Sequence, residues 1–293
     1  MAEDLNAGPK ANREFKNSVF TLLFDEEEAI RDISGALLGK KVDSNTKIEK
    51  TTLQNVLLDG DWRNDLSFLL DDELIVLVEH QSTVNKNMPL RMLHYVSEIY
   101  NHLYNKDDLY REKMMIIPNP VFIVLYNGEK EEEEYCEYRL SKMFRGLKGS
   151  PYLEVIVKVY NINKGHNVEM VGRSLFLSGY VAFVAEVREN NKKNMNREQA
   201  MEKAVDECIK KGILTDFLNK HKQEIVKMLV TEWDYERKLA VVGEEHYQTG
   251  RAEGRSQERH DNIRCFYQAG FSVEVIAKAL NLSEQTIKDI LGI

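Results

Sequence analysis

The sequence predicts an α/β fold: a restricted set of strands forms a mixed sheet flanked by helices, followed by an all-helical C-terminal extension. Three observations predict it. Short runs rich in β-branched and aromatic residues alternate with helical patterns up to about residue 190. Their order, helix, strand, strand, strand, helix, strand, is that of a sheet between helices. From Asn196 onward only helical patterns remain.

In chain order, Glu14 to Leu38 carries Phe15, Val19, Phe20, Leu22, Leu23, Ile30, Ile33 and Leu37 at mostly helical spacing, interrupted by the acidic cluster Asp25 to Glu28. One or two helices open the chain. Lys47 to Leu58 reads as a strand ended by a turn at Gly60 and Asp61. Asn64 to Leu70 and Leu74 to Gln81 are apolar runs separated only by Asp71, Asp72 and Glu73, which is a hairpin.

Pro89 suits the first turn of a helix, where its missing N–H costs nothing, and Leu90, Leu93, Val96, Tyr100 and Leu103 follow at helical spacing. Val121 to Tyr126 and Val155 to Tyr160 are further strands, bounded by Asn127-Gly128 and by Asn161 to Gly165. The charge run Lys130 to Glu134 between them reads as a solvated loop. Met170 to Val187 is an apolar helix.

The 293 residues exceed the roughly 100–200 of one domain, so a core with a smaller helical appendage is expected. Hydrophobic residues at 43% and charged residues at 30% are ordinary globular composition. The polar start, Met1 to Lys16, and the lack of any apolar stretch near ~18 residues predict a cytoplasmic protein without membrane partners. Cys136, Cys208 and Cys265 stand too far apart for a CxxC site and fit reduced thiols. A net charge of −8 counts against a protein that coats nucleic acid, but leaves room for a local basic groove. The seven histidines show no HExxH or other ligand spacing, and no GxGxxG, P-loop or nucleophile elbow is present.

The chemistry-bearing group lies on the hairpin. Side chains alternate along a strand, so Glu79 and Gln81 share a face and His80 takes the other. An odd-length turn centred on Asp72 sets Asp65 opposite Glu79 on that shared face. Two facing carboxylates repel unless a cation lies between them, and Mg²⁺ takes such hard oxygen ligands. A second reading stays open on the residues alone: Asp65 caps a strand, and Glu79 pairs with Arg91 or Arg63. Arg91, one or two helical turns past the trio, is open both to a phosphate contact and to a plain helix-surface role.

The runs Asn64-Asp-Leu-Ser-Phe-Leu-Leu, Val78-Glu-His-Gln-Ser-Thr and Asn87-Met-Pro-Leu-Arg, then Phe122-Ile-Val-Leu-Tyr-Asn-Gly and Val159-Tyr-Asn-Ile-Asn, carry a resemblance across most of the chain. It resembles the recombination-promoting nuclease family, putative transposases of the PD-(D/E)XK nuclease kind. The resemblance implies a restriction-endonuclease-like core over 10–190, a helical extension over 191–245 and a helix-turn-helix-like tail over 246–293. It implies a metal-dependent DNA endonuclease using Mg²⁺ or another divalent cation such as Mn²⁺ or Ca²⁺. Asp65 and Glu79 would hold the metal, the His80 backbone carbonyl would add a ligand, and Gln81 would stand where that superfamily carries a lysine. A glutamine has no charge, so it can orient water or phosphate but cannot stabilise charge as a cation would. Asn17, in a segment where the family often has an aspartate, has lost the charge.

Two alternatives accompany this reading: a catalytically weak or inactive DNA-binding or assembly protein on the same scaffold, and an RNA-cleaving role. At the C-terminus, Ser272 and Ser283 are expected N-caps of two short helices, with Ala277 small enough for close crossing. Glu284, Gln285, Thr286 and Lys288 are a thin set for reading bases, so this unit fits either DNA contact or association into a homo-oligomer.

Overall fold

The computed structural model describes residues 19–51, 65–191 and 197–293. The chain divides into two compact units, Met1–Val230 and Thr231–Ile293. The first opens with α1 (Val19–Leu23) and α2 (Glu27–Leu38), parted at the acidic cluster. Then come β1 (Ile48–Lys50), β2 (Leu66–Leu70), β3 (Leu74–Gln81), α3 (Met88–Leu103), β4 (Asn119–Tyr126), β5 (Tyr135–Arg139) and β6 (Ile156–Asn161). Helices α4 (Val168–Gly172), α5 (Leu175–Asn191), α6 (Arg197–Lys210) and α7 (Thr215–Gln268) follow, and the boundary between the units falls within α7. The expected strand over Lys47 to Leu58 is seen as β1; its part beyond Thr51 lies outside the described residues, as do Asn17 and Arg63.

The described strands form one mixed sheet in the order β1-β2-β3-β4-β6-β5. Strands β3, β4 and β6 run parallel, while β1, β2 and β5 are antiparallel to their neighbours. The α/β class expected from the sequence is therefore the observed one. Leu70 faces Leu74, so Asp71, Asp72 and Glu73 form a three-residue loop centred on Asp72. Asp71 and Asp72 both take left-handed backbone angles (φ 50° and 58°), which a short polar side chain tolerates better than a bulky one. Asp71 also accepts a hydrogen bond from the backbone N–H of Lys47 at 2.8 Å, tying β1 to the turn.

Each face of the sheet has its own core. Val76 and Val78 of β3, with Leu66, Phe68 and Leu70 of β2, pack with Phe20, Ile30, Ile33, Tyr180 and Phe183. Met201, Val205, Leu218 and Ile225 of α6 and α7 join the same cluster. On the opposite face Ile75, Leu77 and Leu69 pack with Met88, Met92, Tyr95 and Ile99 of α3.

Three local expectations change. The apolar stripe of α3 that faces the sheet is Met88, Met92, Tyr95, Val96 and Ile99, whereas Leu90 is exposed; both stripes have helical spacing and share Val96, so spacing alone did not choose between them. The single helix expected over Met170 to Val187 is two, broken at Arg173 and Ser174, where buried Ser174 bonds Asp32 and Asp32 accepts from Phe176 N at 3.1 Å. Strand β5 follows the charge run and was not singled out: it is a short edge strand of charged and aromatic residues, half exposed along its length.

In the second unit, α8 (Val273–Leu280) and α9 (Glu284–Leu291) begin at Ser272 and Ser283. Both hydroxyls accept backbone N–H bonds, from Val275 and Thr286, as capping requires. Ile263, Ile276, Ala277 and Ile287 form this unit's small core.

Candidate active site

Parity along β3 places the trio. Ile75 and Leu77 belong to the α3 face and Val76 and Val78 to the other, so Glu79 and Gln81 continue the α3 face. On β2, Leu69 marks the same face, and two steps of two bring Asp65 onto it. The register Leu66↔Val78, carried one step further, sets Asp65 across from Glu79.

Backbone bonding refines this. Gln81 O accepts from Asn127 N at 2.9 Å, so the odd-numbered peptide groups of β3 turn toward β4. Asp65 and Glu79 are thus a non-hydrogen-bonded antiparallel pair, the kind with Cα atoms only about 4.5 Å apart and side chains closest. The His80 N–H turns toward β2 instead, where Asp65 Oδ2 accepts it at 2.9 Å. In an extended strand the N–H and C=O of one residue point the same way, so the His80 carbonyl also lies on the Asp65 side.

The His80 imidazole is elsewhere. It stacks on Phe20 with ring centroids 4.7 Å apart and bonds the Tyr180 hydroxyl at 3.1 Å. Burial, with a smaller contribution from the Arg188 charge, pushes it down to about 3, so it is neutral at ordinary pH.

Glu79 is 4% exposed and meets Arg91, whose Nη2 lies 3.2 Å from Oε2. Helix α3 begins seven residues after β3 ends, and its side chains lean toward its N-terminus, which carries Arg91 back over the strand end. Tyr95, one turn on, accepts from Arg91 Nη2 at 2.6 Å and Nε at 3.2 Å, and Met88 Sδ accepts from Nη1 at 3.3 Å. Burial works against the Arg91 charge, but Glu79, Tyr95 and Asp65 outweigh it and hold the guanidinium firmly protonated. Burial, then the Glu79 charge, pushes the Tyr95 phenol above its ordinary range. Both carboxylates therefore act on Arg91 and Tyr95 together.

Both readings left open by the residues meet here. Asp65 does cap the end of the β2–β3 ladder and Glu79 does pair with Arg91, but Glu79 is buried and Arg91 only half-buried, and the two carboxylates share a face. Tyr95 and Met88 were missed by sequence reasoning; the signal available was their spacing of four and three residues from Arg91 on the buried stripe of α3.

Gln81 is half-buried, and its amide Nε2 donates to Met88 Sδ at 2.9 Å. Across the sheet it is level with Tyr126, and Tyr126 with Asn161, at the carboxyl ends of three parallel strands. These three line a small cavity with Asn85, Cys136 and Glu132. Crevices at such strand ends are where α/β sheets bind ligands.

Amides and one arginine tie the loops around this rim. Asn161 Nδ2 donates to Glu132 O at 3.0 Å, and its Oδ1 accepts from Asn163 N at 3.0 Å. Asn163 Nδ2 donates to Gly128 O at 2.9 Å, and Arg188 Nη1 donates to Asn163 Oδ1 at 2.6 Å. The Tyr-Asn-Gly and Tyr-Asn-Ile-Asn runs thus act as staples between the β4–β5 and β6–α4 loops.

As donors, Asp65, Glu79 and the His80 carbonyl are hard oxygens, which suits Mg²⁺ and excludes a soft thiophilic site. Among the described residues no group of three or more His, Cys, Asp or Glu is placed to hold a metal ion, so an ion here would rest on two carboxylates and complete its shell from water and substrate. Among the described residues no helix is long and apolar enough to cross a membrane.

A mixed sheet whose paired acids sit at its strand-end rim defines a class of α/β proteins with a polar site over the central strands. Over residues 20–163 the chain matches the model of the family described as "Putative transposase, YhgA-like". That span runs from α1 through the end of β6 and includes the trio, Arg91 and the amide staples. No curated protein and no solved structure compared with the chain matches it.

Proposed function

We propose that the protein is a divalent-metal-dependent endonuclease that hydrolyses phosphodiester bonds in DNA, with Asp65, Glu79 and Gln81 as its catalytic trio, working in the cytoplasm. One observation carries the reading: two acids are set face to face, as a close non-hydrogen-bonded pair, at the carboxyl-end rim of a sheet in a chain that matches the putative transposase family model. The self-repulsion of such a pair destabilises the fold unless positive charge offsets it, and the single charge of Arg91, in contact with Glu79, leaves room for a divalent ion to do so more fully.

Asp65, Glu79 and the His80 backbone carbonyl would hold Mg²⁺ or a similar ion. Bound there, such an ion polarises a phosphodiester and lowers the pKa of a coordinated water. Asp65 is held in place by the His80 N–H, so its carboxylate keeps a defined direction. Gln81 would orient the attacking water through its amide, turning from Met88 to do so. Tyr126 and Asn161 line the side from which substrate would enter.

Nicking of supercoiled plasmid with Mg²⁺, set against EDTA and against Glu79→Ala, tests this. Nicking that needs both the ion and Glu79 supports it; equal nicking by Glu79→Ala would remove it. The Gln81 contact with Met88 favours a second reading, a DNA-binding or assembly protein on the same scaffold with the catalytic residue turned away. Retarded DNA migration without nicking is its expected outcome.

A further inference from the structure

Two acids that face each other need positive charge beside them. Arg91 supplies it in this structure: Nη2 is 3.2 Å from Glu79 Oε2, on the face that Glu79 shares with Asp65. Tyr95 and Met88 hold the rest of the guanidinium, while the side chain keeps 28% exposure toward solvent. A dication bound by the same two acids meets a cation already in contact with one of them. Like charges cannot share that carboxylate closely, so one must yield.

We propose that Arg91 is the resident counter-ion of the Asp65–Glu79 pair, exchanged for a divalent cation when one binds, and that the released guanidinium then holds a phosphate oxygen of the substrate. The inference rests on the metal-dependent reading and adds a residue to it. The exchange needs no opening of the core, because Arg91 reaches solvent and can pivot about Tyr95 Oη. Its planar fork of donors matches two phosphate oxygens as well as it matches a carboxylate. Before an ion arrives, the pairing keeps the two acids from pushing the strand ends apart; afterwards the same side chain supplies charge that Gln81, lacking one, does not.

Mn²⁺ binding to the full chain, followed by the loss of the free-ion electron paramagnetic resonance signal, tests the exchange without reference to cleavage. Competition lowers the ion's apparent affinity, so Arg91→Met should tighten Mn²⁺ binding about tenfold, and Arg91→Lys, which keeps the charge, by much less. Glu79→Gln should abolish binding in every background. Thermal melting checks that each variant is folded. Should Arg91→Met fail to fold, Tyr95→Phe loosens the anchor while keeping the ring, and should tighten Mn²⁺ binding about two- to threefold. Unchanged or weaker Mn²⁺ affinity in the folded variant, with wild type binding through Glu79, overturns the exchange and leaves the metal site standing. No Mn²⁺ bound by wild type or by either variant overturns both.

Discussion

Asp65 Oδ2 accepts the backbone N–H of His80 at 2.9 Å, so an acid from one strand of the hairpin is tied to the peptide that follows the facing acid, Glu79. The bond separates two jobs of Asp65, placing the strand end and carrying charge. Asp65→Asn keeps an acceptor oxygen for His80 and loses the charge; it should melt within about 1 kcal/mol of wild type yet lose Mn²⁺ binding and nicking. Asp65→Ala should lose both and cost about 1–2 kcal/mol, because a part-buried N–H is left without its acceptor. Urea melts of the two variants beside a nicking assay check the separation.

His80 should govern the acid limb of stability. Its ring is buried against Phe20 and its titration is pushed from 6.5 in the unfolded chain to about 3 in the fold. Between those values the unfolded chain binds the extra proton, so stability is full above about pH 6.5 and falls as pH drops toward 3, by about 2 kcal/mol at pH 5. His80→Phe should lose the Tyr180 hydrogen bond at every pH but flatten the difference between melts at pH 7.5 and pH 5. An unaltered slope would show that other groups set the acid limb.

How much of this was legible in the sequence depends on the range of each signal. The hairpin and its three-residue loop follow from two apolar runs of fixed parity, and that parity alone puts Asp65, Glu79 and Gln81 on one face. The caps at Ser272 and Ser283 are equally local. Arg91 was visible as one of two partners open to Glu79, but not as a part-buried one, because whether a helical arginine turns inward depends on which stripe of α3 faces the sheet. Leu90 and Leu93 suggested one stripe; Met92, Tyr95 and Ile99 occupy the buried one. The links of Asn163 to Gly128 and Arg188 join residues 35 and 25 apart, and nothing in local periodicity encodes them.

Gln81, which the resemblance sets where related nucleases carry a lysine, is only half-buried beside the Glu132 rim. Gln81→Lys should therefore be tolerated, with a stability change under about 1 kcal/mol, since its ammonium can reach water and that acid. If developing phosphate charge limits the rate, cleavage should rise. Slower cleavage at unchanged melting temperature would show that the glutamine amide makes a hydrogen bond the reaction depends on.

Gly128 is required by its neighbours rather than by its backbone angles. A Cβ there would lie 2.1 Å from the Ser82 carbonyl oxygen, a backbone atom, and 2.4 Å from the Tyr126 hydroxyl. Asn163 bonds Gly128 O and Arg188 bonds Asn127 O, so the loop cannot retreat without breaking both. Gly128→Ala should cost about 2–3 kcal/mol and weaken nicking by disturbing the loop after Gln81, whereas Gly146→Ala, with open space around it but a left-handed backbone (φ 67°), should meet no neighbouring atom and cost only about 1 kcal/mol of backbone strain. Chemical denaturation of the two variants distinguishes a packing clash from a general intolerance of loop substitution.

The last prediction concerns where the core ends. Met201, Val205 and Cys208 of α6 and Leu218, Ile225 and Val226 of α7 are buried in the same cluster as the sheet residues Val76 and Val78. A chain ending at Val230 keeps all of them, so it should melt cooperatively, close to the full chain. One ending near residue 190 strips these side chains from the cluster. Each large aliphatic group lost from a core costs on the order of 2–5 kcal/mol, and several together exceed the roughly 5–15 kcal/mol that stabilises a whole domain. That shorter chain should therefore lose its cooperative transition and bind a hydrophobic dye. Cooperative melting of the shorter chain would show that α6 and the start of α7 lie on a core complete without them.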